Sequence, residues 1–304
     1  MNERIKSFAL PIPSLFSFRE CLWFLDRNYD DIMHRVTQTS VTKPFRVGEQ
    51  VTLLEISQKQ EDLSVQFRGG DIIEEALLRE QVIALFDLET DLSPFYERLE
   101  ADAELAFMTT DYYGLRLIGI PNLFEALCWS IIGQQINLSF AYSLKRRIVE
   151  LAGEQIAYDG HVFHAFPTPA RMASLTVEEL RPLQFSGRKA EYLIGVARTF
   201  ESGEISKSQL LALPTAEAMV QKLVTLRGVG EWTAHYSLMK SLKIPTSIPY
   251  GDVGLYNALF ALKRLPKRPS RAELASVFDS FQGWEAYLTL YLWRSLVPKR
   301  MSDS

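Results

Sequence analysis

Apolar and polar positions change their period about a third of the way along the chain. In Val51-Thr52-Leu53-Leu54-Glu55-Ile56 and Leu63-Ser64-Val65-Gln66-Phe67 they roughly alternate, with polar residues 58–62 between the two runs. This predicts an antiparallel hairpin with one buried face. Residues 19–28 read as a helix ahead of that sheet. From about residue 105 the punctuation is helical. Asn122-x-x-Glu125, Thr176-x-x-Glu179 and Ser270-x-x-Glu273 have the form of capping boxes, Thr168-Pro169 puts a cap before a proline at the first helical position, and Gly153 and Gly203 fall where helices should stop. The pattern predicts helices near 122–133, 139–152, 169–174, 177–183, 187–202, 215–226, 231–241, 253–263, 271–280 and 284–296. Because strands come early and are not expected to return, the fold class is α+β: an N-terminal antiparallel sheet domain over 1–105, a helical domain over 106–245 and a C-terminal helical part over 246–304.

Composition narrows the class. The 304 residues are 47% hydrophobic and 23% charged, enough for a sizeable core and unlike a disordered chain. Two cysteines, Cys21 and Cys128, each among large apolar residues, make neither a disulfide framework nor a zinc site, and fit a reducing cytoplasm. Arg4 and Lys6 precede an apolar stretch that Pro11 and Pro13 interrupt, so secretion is not expected. The longest uncharged run, residues 126–144, carries too many glutamines and serines to span a bilayer. Net charge is −4, but its distribution is uneven. Residues 1–100 hold 11 basic against 18 acidic residues and the remainder 22 against 19, so a polyanion should meet the body rather than the N-terminal third.

The most informative segment is Leu226-Arg227-Gly228-Val229-Gly230-Glu231-Trp232-Thr233-Ala234, a helix end, a turn with two glycines, and a helix start. Such a turn lets backbone amides approach an anion closely, and can hold a DNA phosphate without reading sequence. By itself Gly-x-Gly equally suits an ordinary helix corner. Beyond it, Asp252 stands in Ile248-Pro249-Tyr250-Gly251-Asp252-Val253 before another helical pattern. Asp252 is an N-cap by residue type, and a helix N-terminus favours negative charge that can in turn stabilise a cationic sugar centre.

This hairpin, followed by a Gly/Pro-containing turn and an aspartate, resembles the helix-hairpin-helix superfamily of base-excision DNA glycosylases, and within it the 3-methyladenine DNA glycosylase II type. Gly114-Leu115-Arg116-Leu117, Phe124-Glu125-Ala126, Ile131-Ile132-Gly133-Gln134-Gln135, Phe166-Pro167-Thr168-Pro169, Arg188-Lys189-Ala190-Glu191 and the stretch from Trp284 to Trp293 fall in the family's order. The resemblance implies that Asp252 is the catalytic aspartate, acting either electrostatically or on the attacking water. It implies that Trp232, Tyr236 and Trp293 line the base pocket, although aromatics at helical spacing are as a rule core. Gly228, Val229, Gly230, Gln134 and Gln135 would meet DNA, with Gln135 either filling the gap left by the flipped base or merely ending a helix.

The strand-cleaving branch of the superfamily carries a lysine where this chain has Trp232, so a monofunctional glycosylase of alkylated purines such as 3-methyladenine and 7-methylguanine is implied. The alternative is a non-catalytic binder of damaged DNA. No cofactor is required, though the carbonyls of Val224, Leu226 and Val229 would suit Na+ or K+. The expected partner is double-stranded DNA containing alkylated bases, with no membrane contact, and the chain is expected to act as a monomer with the nucleoid in the cytoplasm. Glu231 departs from the family's preference at a phosphate contact. His161 and His164 are ordinary histidines on this reading, and the basic run of Lys263, Arg264, Lys267, Arg268 and Arg271 is a minor candidate for backbone contact.

Overall fold

The computed structural model describes residues 7–26, 31–263 and 269–297. Residues 27 and 28 at the end of the first predicted helix, Arg4 and Lys6, and Arg264, Lys267 and Arg268 of the basic run lie outside them.

The expected hairpin is β4 (Gln50–Lys59) with β5 (Asp62–Gly70), in the middle of a larger sheet. With β1 (Ser7–Pro11), β2 (Arg35–Val36) and β3 (Ser40–Val47) it forms five antiparallel strands in the order β1-β5-β4-β3-β2. One face buries Val41, Phe45, Leu54, Ile56, Leu63 and Val65 against α1 (Phe18–Leu25) and α2 (Glu75–Phe86), through Cys21, Leu78, Val82, Leu85 and Phe86. Neither α2 nor α3 (Ser93–Ala101) was expected, because their apolar residues sit among acids with no side-chain cap to announce the start.

After α4 (Met108–Asp111) the helical body follows, as the caps predict, over α5 (Leu123–Gly133) and α6 (Leu138–Ala152). It continues through α7 (Pro169–Ala173), α8 (Val177–Leu180), α9 (Gly187–Glu201), α10 (Lys207–Leu211), α11 (Ala216–Val224) and α12 (Glu231–Ser237), and closes with α13 (Val253–Leu262), α14 (Arg271–Asp279) and α15 (Glu285–Ser295). Thr176/Glu179 and Ser270/Glu273 form both bonds of a capping box, whereas Asn122 accepts the amide of Glu125. The helix predicted over 231–241 is α12 passing into a π turn at residues 238–242.

The expectation that strands do not return is wrong. β6 (Glu154–Tyr158) and β7 (His161–Ala165) pair antiparallel across Asp159-Gly160, a turn whose residues both have positive φ. This hairpin lies against the N-terminal sheet, with Arg46 donating to Glu154 at 3.1 Å and Arg68 over the Tyr158 ring at 5.7 Å. His164 is buried within β7 and His161 exposed, with no metal-ligating cluster among the described residues.

Packing divides the chain differently from boundaries at 105 and 245. One core contains residues of the sheet and α1–α2, a second those between 123 and 238 together with Met33. The third unites residues 92–117 with Met239 and residues 248–292, so α3 and α4 pack with the C-terminal helices rather than with the sheet. The segment 114–120 gives Leu115 and Leu117 to the third core and Ile118 to the first, and leads into the second at Leu123. At its centre Arg116 is fully buried and donates to the carbonyls of Asp87 (3.0 Å), Leu15 (3.1 Å) and Thr90 (2.6 Å).

Each of those carbonyls would be left without its donor by Arg116→Met, at about 1–3 kcal/mol apiece. The variant should therefore lose roughly 3 kcal/mol or more of unfolding free energy in a urea titration, and a midpoint close to that of the unsubstituted chain would remove Arg116 from its place as the central strut.

Candidate active site

The glycine turn is built from both sides. After α11, the amide of Leu226 bonds the carbonyl of Leu223 and that of Val229 the carbonyl of Leu226, each at 3.0 Å, while Val229 plugs the turn into the helical core. Gly228 has φ +93°, and a Cβ there would stand 2.2 Å from the Tyr192 ring. Gly230 is the N-cap of α12 with ordinary φ, and a Cβ there would meet nothing within 4 Å. The two glycines therefore have different reasons: Gly228 answers to the protein's own packing, and Gly230 leaves space on the outer surface. Gln134, at the end of α5, holds the turn from behind. Its amide nitrogen donates to the carbonyl of Gly228 and to Thr233 Oγ1, both at 2.9 Å, so its donors face the hairpin. Lys189 donates to the carbonyl of Ile132 at 2.7 Å and steadies the same helix end. Gln135, one residue on, is exposed with φ +57°. Glu231 lies 3.7 Å from Arg271, an exposed pair joining the hairpin to α14 and easing the departure noted at this position.

Asp252 caps α13. Its Oδ1 accepts the amide of Leu255 at 2.8 Å and the indole Nε1–H of Trp293 at 2.9 Å. Both donors hold the same oxygen, leaving Oδ2 without a protein donor among the described residues. Trp293 of α15 thus does more than offer a ring, because it fixes the carboxylate's rotamer.

Trp232 and Tyr236, one turn apart on α12, stack at 5.5 Å and 21°, and Tyr236 stands 6.3 Å from Trp293 at 41°. All three are half-buried rather than core. With Asp252, Gln134 and Gln135 they line a cavity of about 960 Å³ at the meeting of the three cores. That is ample for a purine and its sugar.

The cavity has a second end that the sequence reading missed. Trp129 donates its indole N–H to the Tyr236 hydroxyl at 3.0 Å and packs on Tyr142 at 4.8 Å. Lys145, one turn along α6 from Tyr142, lies 5.4 Å from the Trp129 ring and 5.7 Å from the Tyr142 ring, and its Nζ is 2.8 Å from Asp31 Oδ2. Burial alone would push the Lys145 ammonium down, but Asp31 and Glu125 outweigh it and hold the proton more tightly than in an ordinary lysine. Burial likewise opposes charge on Asp31, yet Lys145, His34 and the amide of Met33 keep its carboxyl well below the usual range. Lys43, also lining the cavity, is pushed down by burial, with Glu125 opposing. The only hint in the sequence was the i, i+3 placement of Tyr142 and Lys145; Asp31 is 114 residues away.

Residues 128–281 match the family model of HhH-GPD superfamily base excision DNA repair proteins, and residues 23–127 that of the 8-oxoguanine DNA glycosylase N-terminal domain. The DNA-3-methyladenine glycosylase of Bacillus subtilis strain 168 is 38% identical over 293 residues, 95% of this chain and 96% of that protein. Among solved structures, the 3-methyladenine DNA glycosylase from Archaeoglobus fulgidus shares the fold with a TM-score of 0.82 at 20% identity, covering 94% of this chain and 97% of its own. The Clostridium acetobutylicum 8-oxoguanine glycosylase/lyase in its apo form does so with a TM-score of 0.72 at 19% identity, covering 96% of each. The fold is thus common to proteins named for different bases, and the choice of base has to be sought in the cavity.

The two glycines should separate in a double experiment. Gly228→Val should lower the melting temperature, since the new side chain collides with Tyr192 and the left-handed backbone disfavours a β-branched residue. Gly230→Val should leave melting nearly unchanged but weaken binding to undamaged and damaged duplex DNA alike, as measured by fluorescence anisotropy. Weakening confined to damaged DNA would move the hairpin from backbone holding to base recognition.

Proposed function

We propose that this chain, which belongs to the HhH-GPD superfamily of base excision DNA repair proteins, hydrolyses the N-glycosidic bond of alkylated purines in duplex DNA. It is a DNA glycosylase; the proposal concerns the bases it removes and how. The observation that carries it is the Asp252 carboxylate, anchored through one oxygen by Leu255 and Trp293, at the wall of a cavity lined by Trp232, Tyr236 and Trp293.

Electron-rich rings favour a flat cation, and bases such as 3-methyladenine and 7-methylguanine are cationic while attached to the sugar. Such a base needs no general acid. As the C1′–N bond breaks, its electron pair passes to the ring and neutralises the base, while positive charge gathers on the sugar. A water oxygen then bonds C1′ and gives up a proton. The unanchored Oδ2 of Asp252 supports either part of this course, facing the cationic sugar or accepting from the water, and both depend on the rotamer that Trp293 sets. A flipped nucleotide is required throughout, and exposed Gln135, held with positive φ at the cavity edge, is placed to occupy the vacated stack.

The reaction is monofunctional on this reading, since Trp232 occupies the hairpin position where an amine nucleophile would stand, and the Lys145 ammonium is committed to Asp31. Borohydride trapping with damaged duplex should yield no covalent adduct. At the hairpin, Leu226 gives one lone pair of its carbonyl to Val229 and keeps another. With the carbonyls of Val224 and Val229 it supplies neutral oxygen donors of the kind that hold Na+ or K+, adding positive potential beside a phosphate. Among the described residues no helix is long and apolar enough to cross a membrane, and the reading places the chain with the nucleoid in the cytoplasm, acting as a monomer.

Single-turnover release of 3-methyladenine from methylated duplex tests the assignment. Asp252→Asn preserves shape and the cap but removes the charge, and should slow release by about 10²- to 10³-fold with binding retained. Trp293→Phe keeps an aromatic face but frees the carboxylate, and should slow release roughly tenfold with little change in affinity. Near-normal release by Asp252→Asn would remove it from catalysis, and a Trp293→Phe effect confined to affinity would return that ring to base holding alone.

A further inference from the structure

We infer that Lys145 reads the C6 position of the flipped purine, so that the cavity distinguishes 6-oxopurines from 6-aminopurines. The inference rests on the base-excision reading above and adds a specificity-determining residue to it.

Lys145 and Asp31 line the same cavity as Asp252 although their side chains are only 13% and 8% exposed. An ammonium has three N–H donors. One is directed to Asp31 Oδ2 at 2.8 Å, and the others have no protein acceptor among the described residues. Asp31 is engaged on both oxygens, its Oδ2 by Lys145 and its Oδ1 by the amide of Met33, each at 2.8 Å. The pair is therefore neutral as a unit but locally rich in donors. A buried donor without an acceptor is costly, so an occupant bringing an acceptor gains there.

The contacts of the pair with the aromatic wall are what connect it to the base. Trp129, which Lys145 faces, is hydrogen-bonded to Tyr236, and Tyr236 lies between Trp232 and Trp293 in the aromatic wall. In the inferred pose the glycosidic nitrogen is near Asp252 and the six-membered ring follows the contacts that lead from Trp293 through Tyr236 and Trp129 to Lys145. A keto oxygen at C6, as in hypoxanthine or 7-methylguanine, accepts a charge-assisted hydrogen bond. An amino group at C6, as in 3-methyladenine, presents donors to a donor. Asp31 cancels the lysine's charge at longer range, which lets a cationic base enter beside a buried cation.

The test is single-turnover release from duplexes carrying hypoxanthine, 7-methylguanine or 3-methyladenine. Lys145→Met should reduce release of the two oxopurines about 10- to 100-fold relative to 3-methyladenine. That variant strands the Asp31 carboxylate, so Asp31→Asn with Lys145→Met, which removes both charges, is measured beside it and should show the same change of ratio. Equal losses on all three bases in the folded double variant would overturn the inference, assigning the pair to stability alone. A parent protein that releases 3-methyladenine but neither oxopurine would overturn it too, while leaving the alkylated-purine reading intact. Release of none of the three would end both.

Discussion

The structure depends on satisfying the backbone of one buried segment that belongs to no sheet. Residues 114–119 are all buried between the first and third cores, and an unpaired backbone group there would be as costly as a lost hydrogen bond. The amides of Leu115 and Ile118 bond the nearby carbonyls of Tyr112 and Arg116, and the other partners come from distant parts of the chain. The amide of Gly114 bonds the Tyr96 hydroxyl and its carbonyl accepts from Ser17; the carbonyl of Leu115 accepts from Tyr291; the amide of Leu117 donates to Tyr287; the amide of Gly119 reaches Leu85. The carbonyls of Leu117 and Ile118 accept from the ammonium groups of Lys243 and Lys240. Burial pushes Lys243 down to about 8, with Asp87 opposing.

These partners place the chemistry. Lys240 lies in the π turn that continues α12 and Lys243 is the residue that caps it, so anchoring them sets the end of the helix that carries Trp232 and Tyr236. Tyr287 and Tyr291 belong to α15, which also carries Trp293. The two walls of the cavity are therefore referred to the same buried strap, and the hydrogen bond from Trp293 to Asp252 extends that reference to the carboxylate. A site built from elements far apart in sequence needs this kind of shared anchoring to keep its side chains in register.

What could be read from the sequence follows the range of the interactions. Helices announced by Asn122, Thr168, Thr176 and Ser270 are found where expected because a cap acts over three residues. Asp252 was legible as a cap for the same reason. The hairpin over 154–165 was overlooked even though Asp159-Gly160 is a strong turn signal, since its strands are short, largely exposed on β6, and stabilised by the N-terminal sheet rather than by their own pattern. The assignment of α3 and α4 to the C-terminal core, and the Asp31–Lys145 end of the cavity, rest on contacts spanning a hundred residues or more, which no local period records.

The acidic N-terminal third also acquires a different meaning. Its excess of carboxylates suggested a domain kept away from DNA, yet several neutralise cations of the helical body. Glu20 pairs with Arg294 at 2.9 Å, Asp31 with Lys145 at 2.8 Å, and just beyond that third Asp102 and Glu104 pair with Lys263 at 3.2 and 2.6 Å. Arg294 is buried and also lies over the Trp23 ring, so Glu20 is what makes its burial tolerable. The same logic governs the cavity. Lys145 is buried in the cavity wall, and the carboxylate paired with it, Asp31, comes from the N-terminal third. The N-terminal third therefore supplies part of the cavity wall and the counter-charge of a lysine within it.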